Sequence, residues 1–247
     1  MSVTITVLGS SGMFQTTERA CSGYLLDVDR RHLWLDAGAG TWANLQRHIA
    51  YSDIDGVLLT HAHPDHTTDV LQAYHARRYG QEDALPNVPL WAPKETLDRL
   101  CGFANGLEDA FDLRPLTSSD EVEFGVARLN FVEMAHPEYT LGVRVDSGSS
   151  VAAFSSDTGH DADFETLARD ADVFFCEATS QDSDELWEGH LRASQAASIA
   201  AGVGVKRLLL THLRPGRDHS LTLTEARRAA PGLDIALAQD GMRLELP

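Results

Sequence analysis

Lysine is nearly missing from this chain: only Lys94 and Lys206 occur, and 20 basic residues face 37 acidic ones for a net charge of −17. A surface this acidic repels polyanions at long range. Proteins that bind long nucleic acid usually carry a basic patch. The charge therefore argues against a long nucleic-acid substrate. It leaves open a small phosphate ester held by local arginines and metals. Cysteine is scarce too. Cys21, Cys101 and Cys176 are odd in number, scattered, and form no C-x-x-C. That spacing fits neither a disulfide framework nor a thiolate zinc site and suits a reducing compartment. All three read as small buried hydrophobes. No window approaches 18 apolar residues without a charge, so no membrane span is expected. The start, Met1 to Gly9, lacks a basic n-region and a long apolar h-region, so no secretory signal is expected. The expectation is a cytoplasmic protein. There is no low-complexity stretch, no repeat and no linker, and 247 residues can bury about 70–75% of their extended surface. One domain over residues 1–247 is expected.

Short apolar strands alternate with amphipathic helices. Val3–Leu8 alternates with period two and runs into Gly9-Ser10-Ser11-Gly12, a turn. Gly23–Val28 and His32–Leu35 read as a hairpin ending at Asp36. Trp42–Ile49 and Thr67–Tyr79 read as helices, with the short buried strand Gly56–Leu59 between them. In the second half, Val122–Glu133, Leu141–Val145, Ser150–Ser155, Val173–Cys176 and Arg207–Leu210 are strand-like, and Ala193–Ala201 is a helix with a small-residue face. Strands followed by helices, with hairpins among them, predict an α/β architecture of sheets covered by helices on their outer faces. The strands repeatedly end in His, Asp or Glu, and such loops at a sheet edge are where these folds place chemistry.

The segment Thr60-His61-Ala62-His63-Pro64-Asp65-His66-Thr67 packs four possible ligands into six residues. A lone histidine is ordinarily surface or satisfied core. Three histidines and an aspartate directly after an apolar strand are different, because neutral imidazole and carboxylate are the usual ligands of catalytic zinc. Alternate positions on an extended loop point the same way, so His61 and His63 can grip one metal. Asp65 and His66 sit where the chain turns into a helix and can grip a second.

This segment resembles the signature of the metallo-β-lactamase superfamily, and the resemblance covers nearly the whole chain. It implies an αββα sandwich of two mixed β-sheets with helices on both outer faces and metals at one edge. It implies two divalent metal ions, Zn²⁺ or alternatively Mn²⁺. His136, in Met134-Ala135-His136-Pro137, looks like the third histidine of the first metal. Asp157, in Ser156-Asp157-Thr158, looks like a bridging carboxylate, and His212, in Leu210-Thr211-His212, like the last ligand of the second. The implied sets are His61, His63 and His136, and Asp65, His66 and His212, with Asp157 shared. Asp36 matches a family residue that props the ligand loop; an ordinary turn aspartate is the alternative.

Ala62 stands where the family's iron-binding oxygen reductases carry Glu, and Asp157 where several true β-lactamases carry Cys. Neither redox chemistry nor antibiotic hydrolysis is then implied. Phe175-Cys176-Glu177-Ala178-Thr179, followed by Gly189-His190-Leu191, resembles the tRNase Z group and its phosphodiesterase relatives. Carried over, Asp65, Glu177 and His190 are the catalytic residues, with Glu177 orienting His190 as general acid and a metal-bridging hydroxide attacking phosphorus. The tRNA-processing members share a long inserted arm. Here one helix and a short loop, Arg77-Arg78-Tyr79-Gly80-Gln81-Glu82-Asp83, fill the stretch from His66 to Pro93. The expectation is a phosphodiesterase for a small phosphodiester such as a cyclic nucleotide. A tRNA 3′-endonuclease, a lactone or thioester hydrolase, and a non-catalytic metal-binding protein are the alternatives, and a homodimer is the one protein partner the family suggests. Arg214 and Arg217 could clamp a phosphate or be solvated loop arginines, and the Gly9–Gly12 turn could offer backbone N–H groups to substrate. His32, His48, His75, His160 and His219 are left structural.

Overall fold

The computed structural model describes residues 3–246 apart from 82, 84 and 186. Met1, Ser2 and Glu82, used in the readings above, lie outside the described residues.

The first half of the chain builds one sheet from β1 (Val3–Gly9), β2 (Gly23–Val28), β3 (Arg31–Leu35), β4 (Ile54–Leu58), β5 (Val88–Pro93) and β6 (Phe111–Leu116). Helices α1 (Thr41–Leu45), α2 (Pro64–Thr67), α3 (Val70–Tyr79) and α4 (Lys94–Phe103) connect these strands. The second half builds another from β7 (Glu121–Phe124), β8 (Ala127–Glu133), β9 (Leu141–Asp146), β10 (Val151–Phe154), β11 (Val173–Glu177), β12 (Arg207–Thr211) and β13 (Asp234–Leu237). Its helices are α5 (Phe164–Ala168), α6 (Ala193–Gly202) and α7 (His219–Ala229), and β14 (Arg243–Leu246) crosses back to the first sheet. The orders are β14-β1-β2-β3-β4-β5-β6 and β13-β12-β11-β10-β9-β8-β7. Each sheet is antiparallel at one end and parallel at the other: β3 to β6 run parallel, as do β10 to β13.

Alternation along the strands builds the layers. On β3, Leu33 and Leu35 point between the sheets while Trp34 points outward under the helices. Ile5, Leu26, Phe124, Phe154 and Phe175 fill the space between the two sheets. Outward, Leu45, Val70, Leu97 and Phe111 join Trp34 beneath the first set of helices. Phe174, Leu208 and Ile235 meet the alanine face of α6 on the other side. This is the expected sandwich of two mixed sheets with helices on both outer faces. Among the described residues, no helix is long and apolar enough to cross a membrane.

Several boundaries differ from the sequence reading. Val122–Glu133 is a hairpin rather than one strand, because Gly125 turns at φ 60° between β7 and β8. The Trp42–Ile49 helix shortens to α1. The helix after the motif is broken at Asp69, whose carboxylate accepts the Trp42 N–H while its own N–H donates to the Ala37 carbonyl. The stretch from His66 to Pro93 holds β5 as well as the helix and loop.

Candidate metal centre

Parallel strands of both sheets lead toward the centre, and several predicted ligands sit just beyond their ends. His61 and His63 follow β4, Asp157 follows β10 and His212 follows β12, while His136 leaves the antiparallel strand β8. Asp65 and His66 lie in α2, which Pro64 starts at its first position, where a missing N–H costs nothing. Asp36, Ser156 and His212 adopt left-handed backbone at φ 51–55°. Residues other than glycine rarely do so, and such strain gathers at functional sites.

Two donor sets result. In the first, His61 Nε2 lies 3.1 Å from His63 Nδ1, which lies 3.3 Å from His136 Nε2. In the second, Asp65 Oδ2 lies 3.1 Å from His212 Nε2 and 4.0 Å from His66 Nε2. Asp157 divides its oxygens between them. Its Oδ2 is 3.6 Å from His61 Nε2, and its Oδ1 is 3.2 Å from His66 Nε2 and 3.3 Å from His212 Nε2. All seven predicted ligands thus gather at one centre, with ligand atoms within 4.8 Å of one another in each set. The packing fits metal. Imidazole nitrogens converge on the same points, and His66 Nε2 and Asp157 Oδ1 are buried without hydrogen-bond geometry despite their 3.2 Å approach. Orphaned buried donors and acceptors are rare in folded proteins, and a shared cation accounts for both atoms.

Two buried carboxylates hold the histidines from behind. Asp36 Oδ2 accepts from His66 Nδ1 at 2.7 Å, and the Thr60 hydroxyl also donates to Asp36, at 3.0 Å. A hydroxyl has one proton. With it committed to Asp36, Thr60 Oγ1 is left to accept from His61 Nδ1 at 3.1 Å. Glu177 repeats the device. Its Oε1 accepts from His190 Nδ1 at 2.9 Å, and its Oε2 accepts from the Thr179 hydroxyl at 2.7 Å, leaving that oxygen to accept from His212 Nδ1 at 2.8 Å. One carboxylate thus fixes one histidine directly and a second through a threonine. The Gly189 carbonyl fixes His136 by accepting from Nδ1 at 3.0 Å. Asp36 is placed where the sequence reading put it. The two threonines were not singled out, although the signal was present: each lies within the quoted motifs, beside or two residues from a charged group.

Charge follows this wiring. Burial, then the neighbouring His66, keeps His61 far below its ordinary value and hence neutral. Burial alone would lower His66 as well, but Asp157 and Asp36 carry it well above. Burial likewise opposes protonation of His212, yet Asp157 and Asp65 push it up to about 9. Desolvation works against the Asp157 carboxylate, and the facing His212 and His66 hold it well below the usual range. At His190, burial is outweighed by the Glu177 hydrogen bond and charge, and the net shift is upward.

One weaker sequence suggestion is corrected. In the Gly9–Gly12 turn three N–H groups are already taken: Ser10 and Ser11 donate to the Ala20 carbonyl and Gly12 to that of Leu213. Just beyond it, Met13 N–H donates to Asp65 Oδ2 at 2.6 Å. The two loop arginines have partners of their own. Arg217 pairs with Asp184, and the Arg214 guanidinium lies 4.4 Å from the Trp187 ring centroid. The centre opens on a cavity of about 530 Å³ lined by His136, Pro137, His160, Trp187 and His190.

A family model described as Beta-lactamase superfamily domain matches residues 5–213. The chain is 34% identical to Rv1339 of Mycobacterium tuberculosis over 242 residues, covering 94% of this chain and 88% of that one. It is 28% identical to "Probable metallo-hydrolase YhfI" of Bacillus subtilis, over 96% of this chain and 97% of the relative. The crystal structure of YhfI superposes with a TM-score of 0.90 at 23% identity, covering 99% of each chain. Ribonuclease Z of Streptomyces coelicolor is 28% identical over 98% of this chain and 97% of that one. That alignment runs over 294 residues against the 247 of this chain, so at least 47 positions (294 less 247) have no counterpart here. The structure of Zn(2+)-bound PqqB from Methylobacterium extorquens shares the fold at a TM-score of 0.77 and 15% identity, covering 98% of this chain and all of that one.

Proposed function

The chain belongs to the metallo-β-lactamase superfamily, and we propose that this metal-dependent hydrolase cleaves a small phosphodiester, with a cyclic nucleotide as the type substrate. The observation that carries the reading is the Glu177–His190 pair, 2.9 Å apart, with the His190 ring stacked 5.6 Å from that of ligand candidate His212. A thioester on the same centre has less need of such a pair, because a thiolate departs without a proton. An alkoxide leaving phosphorus must be protonated as it departs, and a histidine next to a carboxylate is a proton donor suited to neutral pH. The acidic surface and the positions absent relative to ribonuclease Z support a small substrate over tRNA.

In this reading His61, His63 and His136 hold one divalent ion, Asp65, His66 and His212 the other, and Asp157 is shared. When bound, such a pair supplies Lewis-acid activation of water and neutralises charge on phosphoryl oxygens. Imidazole and carboxylate donors suit zinc, and manganese is the alternative. The chain does the rest. Asp36 and Thr60 fix the ligand loop. Glu177 accepts from His190 Nδ1, which leaves Nε2 to carry the proton for the leaving oxygen. Hydrolysis of bis(p-nitrophenyl) phosphate and of cyclic nucleotides, with Zn²⁺ or Mn²⁺ supplied, tests the proposal. Inactivity on all of them would defeat it, and cleavage of precursor tRNA in their place would favour the endonuclease.

Two further results are expected. Groups that prop a metal-binding histidine contribute about 10- to 100-fold to metal affinity or activity. Asp36→Ala frees His66 and, through Thr60, His61, so affinity measured by chelator competition should fall by about that range. Unchanged affinity would remove Asp36 from the site. The second concerns pH. His212, pushed up to about 9, must lose its proton before Nε2 can bind a cation. His61 is neutral already. Metal uptake by the second set should therefore release protons and weaken as pH falls below about 9, while His61 and His63, both shifted down by burial, release few. Calorimetry of metal binding to stripped protein, in buffers of different ionisation enthalpy, reads that release directly. Uptake of two metals at pH 7 without proton release would contradict it.

A further inference from the structure

We propose that Trp187 is the platform on which the planar base of the nucleotide substrate stacks, an inference that rests on the phosphodiesterase reading. Trp187 is 37% exposed, one of few large apolar side chains left open, and it lines the 530 Å³ cavity beside His190 and His136. That volume lies within the range of small-molecule sites. Its indole is 6.3 Å from the His190 ring at 67°, so a group stacked on it lies next to the proton donor. In a cyclic nucleotide the departing ribose oxygen must reach that donor while the nucleoside stays on phosphorus through its other ribose oxygen.

The platform is held. Arg214 covers one part of the indole at 4.4 Å, a cation–π contact that holds the ring in place. The His190 N–H donates to the Trp187 carbonyl at 3.2 Å, and the intervening Gly189 carbonyl accepts from His136. Gly189 is at φ 76°, and a Cβ there would meet Pro137 Cδ at 2.5 Å and His136 Nδ1 at 2.6 Å. The segment carrying Trp187 and His190 is thereby locked onto a ligand histidine, and ring, acid and centre keep a fixed spacing. The cavity's outer residues include Asp161 and Glu188. Their charge disfavours further phosphates, which suits a single nucleoside rather than a strand.

Base stacking on an aromatic ring is sequence-tolerant and strong, so its loss is measurable. The test compares adenosine 3′,5′-cyclic phosphate with its base-free analogue, 1-deoxyribose 3′,5′-cyclic phosphate, both followed by phosphorus NMR. The preference of the protein for the base-bearing substrate, as a ratio of kcat/KM, should fall about ten-fold in Trp187→Ala, chiefly through KM, and recover largely in Trp187→Phe. An unchanged ratio overturns the platform while leaving the phosphodiesterase reading intact. If neither compound is hydrolysed by the metal-loaded protein, that reading fails for cyclic nucleotides. Binding then decides the platform: adenosine 5′-monophosphate should quench the tryptophan emission of the wild type and not that of Trp187→Phe. Equal quenching in both, or none in the wild type, overturns it.

Discussion

Replacing Asp157 by Ala should remove metal retention and activity together, with hydrolysis falling by more than about a hundredfold. Losing a group behind a metal ligand already costs about 10- to 100-fold, and Asp157 faces both donor sets itself. One oxygen approaches His61 and the other approaches His66 and His212. Its removal also takes away the largest counter-charge that raises His66 and His212; both then shed their protons more readily, but neither donor set regains a shared carboxylate. The informative control is His136→Ala, which touches one set only. After metal loading and desalting, His136→Ala should keep about one metal per chain and Asp157→Ala should keep less. Circular dichroism separates loss of metal from loss of fold. Full metal occupancy and activity in Asp157→Ala would refute the shared carboxylate.

Why this centre was legible in the sequence is a matter of local geometry. His61, His63, Asp65 and His66 lie within one turn between a strand and a helix, so their convergence needs no long-range information. The strands ending near His136, Asp157 and His212 were readable from their apolar runs, and β10, β11 and β12 all appeared at nearly the right bounds. What carried the three distant ligands to the motif was family resemblance. Nothing in the spacing of residues 61, 136, 157 and 212 sets which strand ends meet; the sandwich topology does. The hydroxyl relays were missed for a related reason. Thr60 and Thr179 act only because a carboxylate and an imidazole from other elements flank them, and one threonine in a strand-end motif reads as ordinary. Some of the elements overlooked have weak patterns, although others, such as β5 and α4, do not. β14 alternates over only four residues and is largely exposed, and β6 buries little between its ends. The two loop arginines, close to His212 in sequence, take Asp184 and Trp187 as their partners in space.

His190→Ala should slow cleavage of a cyclic nucleotide by about 10² to 10⁴, the usual contribution of a positioned acid, and slow cleavage of bis(p-nitrophenyl) phosphate far less. The difference follows from the leaving group. An alkoxide is a strong base and needs a proton as it departs, whereas p-nitrophenoxide leaves as an anion. Equal losses on both substrates would reduce His190 to a structural part. Glu177→Gln then asks how the proton is held. Burial opposes protonation of His190, and the Glu177 carboxylate reverses that, so its proton persists to higher pH than an ordinary histidine's. Activity that needs this proton is complete below the raised value and is lost as pH rises through it. Neutralising the partner removes the upward shift, so the alkaline limb of kcat/KM should move to lower pH in Glu177→Gln. Glu177 also accepts from Thr158 N–H and from the Thr179 hydroxyl that anchors His212, and an amide keeps only one acceptor oxygen. The plateau should therefore fall as well. A lowered plateau with the limb unmoved would mean that Glu177 works only by placing His212. Movement of the limb assigns it to the proton.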